Sequence, residues 1–69
     1  MNDVGIGATI ARERRTAGVT QAQLAERLGV TKAAVSKWEL GQSLPDVALL
    51  PRIAAYFGIS LDDLFALRP

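Results

Sequence analysis

Apolar residues recur along this chain at helical rather than strand spacing, and short polar stretches divide them into five segments. The first helix is expected from Gly7 or Ala8 to Ala17, with Ile6, Ile10 and Ala17 facing inward and Gly18 ending it. Thr20, followed at capping-box spacing by Gln23, opens a second helix that carries Leu24, Ala25 and Leu28 up to Gly29. Thr31 opens a third, which ends near Leu40 before Gly41. Beyond the loop Gln42-Ser43-Leu44-Pro45, Asp46 is expected to cap a fourth helix with Leu49, Leu50, Ile53, Ala54 and Phe57 inward. Ser60 caps a fifth, with Asp63 in the partner position of a capping box and Leu61, Leu64 and Phe65 as its apolar stripe. No period-two alternation or hairpin signal competes, so the expected fold is all-α, five short helices in one domain spanning 1–69, with an ordered core over about 6–67.

The second and third helices are joined by about three residues, and helices linked so tightly cross steeply and leave one face of the second exposed. On a wheel advancing about 100 degrees per residue, Ala34, Val35 and Trp38 share one arc, which faces inward. The spacing of Trp38 from Val35 places its indole in the core, beside Leu24, Leu28, Leu50 and Ile53. Lys32, Ala33, Ser36, Lys37 and Leu40 occupy the opposite arc. Its chemistry suits a DNA major groove: lysines donate to guanine, Ser36 donates or accepts, and the Ala33 methyl can meet a thymine methyl. A solvated amphipathic helix would present the same lysines, so the wheel alone leaves both readings open.

Composition narrows the alternatives. The 69 residues include no cysteine and no histidine, which excludes a disulfide framework and a Cys or His zinc site; no metal or cofactor is expected. Asp62 and Asp63 are adjacent and cannot share a helical face, and no other grouping assembles a catalytic constellation, so an enzyme is not expected. Nothing approaches the roughly eighteen apolar residues of a membrane span, and no signal-peptide pattern opens the chain, which points to the cytoplasm. The net charge of +1 says little by itself. Residues 1–45 carry six bases and four acids, against two and three in 46–69, so the basic side lies in the amino-terminal portion.

With these residues in place, the chain resembles the Cro/C1-type, or XRE-like, helix-turn-helix family of phage and bacterial regulators. Ser36-Lys37-Trp38-Glu39-Leu40-Gly41 followed by Pro45 carries the likeness, together with Thr20-Gln21 and Leu24-Ala25 before it. It continues through Leu50, Ile53, Ala54, Phe57, Gly58, Ile59, Ser60 and Leu64, and covers roughly residues 8–66. The resemblance implies a lambda-repressor-like fold and sequence-specific binding of double-stranded DNA by a transcriptional regulator, a repressor in the first instance. Lys32, Ala33 and Lys37 match base-reading positions, with Ser36 nearby. Gln21 matches a phosphate-clamping glutamine, while Thr31, Gln42 and Ser43 fall beside other phosphates. Arg14 and Glu39 match a pair that ties the first helix to the end of the third, with Arg14 still able to face a phosphate.

The chain also departs from the family pattern. Alanine at 33 replaces a glutamine often used to read adenine, and no base follows Gly41 until Arg52, so a monomer is expected to bind weakly. Arg12, Arg15 and Arg27 can compensate or simply be solvated. A homodimer on an inverted repeat would add affinity, with Leu61, Phe65 and Leu67 as its candidate interface; the monomer core competes for Leu61 and Phe65. An antitoxin or adaptor-like module that keeps this fold is the alternative, and an effector could reside in a regulatory protein or a further domain.

Overall fold

Local capping sets most of the helix boundaries. The structure is a computed structural model and describes residues 5–66. Helix α1 spans Ile6–Ala17, beginning one residue before the expected start. It ends at Gly18, whose φ of 74° lies in the left-handed region that a Cβ disfavours. Helix α2, Gln21–Leu28, opens with both halves of a capping box. Thr20 Oγ1 accepts from the Gln23 N–H at 3.0 Å, and the Thr20 N–H donates to Gln23 Oε1 at 2.8 Å. Helix α3, Lys32–Glu39, is capped by Thr31, whose Oγ1 accepts from the Ala34 N–H at 3.0 Å. Helix α4 spans Leu50–Phe57, and α5, Leu61–Phe65, opens with the Asp63 N–H donating to Ser60 Oγ at 3.0 Å.

Two expectations are corrected. Asp46 precedes a 3-10 turn, Val47–Leu49, and caps it with no side-chain hydrogen bond. Its carbonyl accepts from the Leu49 N–H at 2.8 Å, and α4 begins only at Leu50. Pro51 in the first turn of α4 supplies no N–H, which suits a helix start there. Ala17 shares the Ile10 face by angle, but it lies two turns further along the axis at the helix end, where it is exposed.

Each of the five helices contributes one fully buried aliphatic side chain: Ile10, Leu24, Val35, Ile53 and Leu64. Burying each is worth roughly 1.5–3 kcal/mol. Ala25, Leu28, Trp38 and Ala54 complete the cluster, and half-buried Ile6, Leu49, Leu50 and Phe57 pack against it. Thr9, Ala11 and Pro45 are also buried, although the apolar pattern did not single them out. Helix α3 packs on both α2 and α1, and α5 closes against α1. No helix among the described residues is long and apolar enough to cross a membrane.

The contact of α1 with α3 depends on a glycine. A Cβ at Gly7 would run into the Trp38 carbonyl oxygen and would lie 3.2 Å from its carbon. Only hydrogen fits between these two backbones. The sequence offers Gly7 only as a possible first residue of the first helix, because close approach of a second helix leaves no local sequence signal.

Candidate nucleic-acid interface

Helix α3 is fixed by its buried side and free on its outer side. Val35 and Trp38 are buried and Ala34 is half-buried. Lys32, Ala33 and Lys37 are exposed, and Ser36 is half-buried between them and the core side. Among the described residues, no hydrogen bond or ion pair involves the side chains of Lys32, Ser36 or Lys37. Lys32 in the first turn receives no help from the helix dipole. Leu40, just past the end of α3, is 67% exposed beside this arc.

Three helices are joined at the end of α3 by one carboxylate. Arg14 of α1 donates from Nε to Glu39 Oε2 at 2.7 Å and from Nη2 to Oε1 at 3.1 Å, a bidentate fork. Gln21 of α2 donates from Nε2 to the same Oε1 at 3.0 Å. A third Arg14 bond runs from Nη1 to the Val19 carbonyl, 3.0 Å away in the α1–α2 turn. Burial alone pushes the Glu39 pKa upward. The hydrogen bonds from Arg14 and Gln21 and the charges of Arg14 and Arg15 outweigh it and hold the carboxyl below its ordinary value. Glu39 is therefore ionised and positioned, with a side chain only 6% exposed.

These bonds constrain what the anchoring residues can offer. Arg14 is 14% exposed in its side chain and has committed three of a guanidinium's five N–H groups. Gln21 is half-buried and keeps its Oε1 and one N–H beyond the bond to Glu39. The Gln21–Glu39 bond was not anticipated, because a glutamine at the start of a helix has the same local pattern whichever way its amide turns. Thr31, Gln42 and Ser43 are exposed at the two ends of α3 and in the loop after it. Arg12, Arg15 and Arg27 are exposed as well.

The candidate dimer residues separate. Leu61 is 43% exposed, Phe65 is half-buried, and Leu67 lies outside the described residues. Leu44 and Val47, which were not singled out from the sequence, are 74% and 77% exposed in the segment after α3. Among the described residues, no group of three or more Cys, His, Asp or Glu is placed to hold a metal ion.

A bundle that presents the second helix of a tightly joined pair, braced from behind, is the architecture of helix-turn-helix proteins. The model of a helix-turn-helix family (HTH_3) matches residues 10–64, and the chain belongs to this family, in its Cro/C1-type branch of DNA-binding transcriptional regulators. It is 42% identical over 48 residues to the HTH-type transcriptional activator BcrR of Enterococcus faecalis, covering 70% of this chain and 24% of that protein. It is 36% identical over 55 residues to the cryptic phage CTXphi transcriptional repressor RstR of Vibrio cholerae, covering 80% of this chain and 49% of that one. The chain thus spans about a quarter of the activator and about half of the repressor. Its fold superposes on the P22 c2 repressor, solved in complex with a synthetic operator, with a TM-score of 0.81 and 28% identity. That match covers 87% of this chain and 91% of the repressor.

Proposed function

We propose that this chain binds a specific double-stranded DNA sequence by inserting α3 in the major groove. Lys32, Ala33, Ser36 and Lys37 read base edges, and Gln21, Thr31, Gln42 and Ser43 hold phosphates. Arg14 serves mainly as a positioning residue, with its remaining N–H groups toward the backbone. The observation that carries this reading is the pairing of an outer face with no internal partners and a three-helix clamp at Glu39 that fixes its angle. Solvation alone explains the lysines; it does not explain an ion pair built at the end of the helix that displays them.

The regulator acts as a homodimer on an inverted repeat and as a repressor. Leu61, 43% exposed at the start of α5, is the apolar side chain that association would cover. The repressor sense draws on RstR and the P22 c2 repressor, with which the chain shares a larger fraction of partner length than with the activator BcrR. Selection of bound duplexes from a random library tests these statements together. An enriched inverted repeat, with base-specific losses in Lys32→Ala and Lys37→Ala, is the expected result. Uniform weakening by both variants would move the lysines to the phosphates, and no enriched duplex would overturn DNA recognition.

A further inference from the structure

A second polar surface is built from α2 and α4. Between the end of α2 and the outer side of α4, a shallow groove of about 330 Å³ is lined by Arg27, Leu28, Arg52, Ala55 and Tyr56. None of these residues belongs to α3 or to the loop that follows it. The groove contains two cations and no acid, and neither arginine meets a carboxylate among the described residues.

Both guanidiniums are already held in place. Arg52 donates from Nη1 to the Leu28 carbonyl at 3.4 Å and from Nη2 to the Arg27 carbonyl at 3.3 Å, which satisfies carbonyls left open at the end of α2. Its Nε–H and one N–H on each terminal nitrogen remain. The Arg27 guanidinium carbon sits 5.7 Å from the centre of the Tyr56 ring, within cation–π range. Tyr56 in turn meets Phe57 edge to face, with ring centres 5.1 Å apart. Guanidiniums held this way lose little rotamer freedom when a planar anion arrives. The exposed Ala55 methyl and the half-buried Tyr56 ring give the groove its apolar surface, with Leu28 buried beneath them.

We propose that this groove docks an acidic segment of a partner protein, a carboxylate side chain held by Arg52 and Arg27 with a neighbouring apolar side chain laid on Ala55 and the Tyr56 ring. Charge complementarity selects an anion, and the planar donors suit a carboxylate. The apolar surface favours a peptide over a nucleic-acid backbone, which offers phosphates at regular intervals and no adjoining aliphatic group. The groove's lining shares no residue with the proposed DNA-reading set on α3.

The test titrates the isotope-labelled chain with the capped peptide Glu-Leu-Glu-Phe and its uncharged counterpart Gln-Leu-Gln-Phe, following backbone and arginine Nε–H resonances by NMR. The acidic peptide is expected to shift Arg27, Arg52 and Tyr56 and to bind at least about tenfold more tightly than the uncharged one. Arg27→Gln, which leaves the Arg52 bonds to α2 in place, should weaken peptide binding by about tenfold, with only the small fall in melting temperature that loss of the Tyr56 contact brings. Arg52→Lys should weaken it similarly by losing the fork. Equal shifts with both peptides, shifts centred elsewhere, or no shifts would overturn the proposal. So would inorganic phosphate or duplex DNA occupying the groove as well as the acidic peptide does.

Discussion

Replacing Gly7 with alanine should destabilise this domain, although a helix position would ordinarily gain from the exchange. Glycine inside a helix costs roughly 0.5–1 kcal/mol relative to alanine through backbone entropy. The added methyl, however, would collide with the Trp38 carbonyl oxygen and come within 3.2 Å of its carbon. Backbone cannot rotate aside as a side chain can, so α1 and α3 must separate. Overpacking of this kind costs about 1–3 kcal/mol. After the helix gain is subtracted, a net loss of up to roughly 2.5 kcal/mol remains, centred near 1 kcal/mol, a fall in melting temperature of about 4–8 °C at that centre for a domain this small. Thermal and urea unfolding followed by circular dichroism measures it. Gly18→Ala is the reference: its φ of 74° strains any Cβ, but no atom lies within 4 Å of the added carbon. It should cost about 1–2 kcal/mol while leaving the α1–α3 contact and DNA affinity intact. A Gly7→Ala protein as stable as its parent would refute the close-approach argument outright.

Glu39→Gln should cost about 1.5–3 kcal/mol at neutral pH by breaking charge-assisted bonds to Arg14. Because the folded Glu39 carboxyl is held below its ordinary pKa, its contribution is fully present above an unfolded value of about 4.3 and fades as pH falls through the folded one. Urea titrations at several pH values should therefore show the gap between variant and parent closing in acid; a gap independent of pH would contradict the assignment. Thr20→Ala should lose about 1 kcal/mol in chemical denaturation with no loss of DNA affinity per folded molecule. Leu61→Asp should leave the melting temperature of a dilute sample nearly unchanged while abolishing cooperative occupancy of an inverted repeat in gel-shift titrations; undiminished cooperativity would remove Leu61 from the interface.

The features legible in the sequence are those whose physics is local. Thr20 with Gln23, Thr31 and Ser60 are caps that act within one turn, and each caps the helix expected of it. The inward arc of α3 is local as well, since Val35 and Trp38 need only the helical repeat to share a face. Asp46 misled because an acidic residue before an apolar run looks the same whether a 3-10 turn or an α-helix follows. Gly7 and the bond from Gln21 to Glu39 were invisible for a different reason, since each depends on where a second element arrives. The Arg52 bonds to the carbonyls of Arg27 and Leu28 belong to the same group.

The clamp at Glu39 separates the mounting of α3 from what its outer face presents. Arg14, Gln21 and Glu39 set the angle of α3, while the side chains of Lys32, Ser36 and Lys37 take no part in holding the protein together. Exposed positions such as Lys32 and Lys37 tolerate substitution at little cost in stability. Under the proposed function, the same mount can carry a different reading face, and a new operator preference can arise by exchanging a few surface residues without rebuilding the fold beneath them.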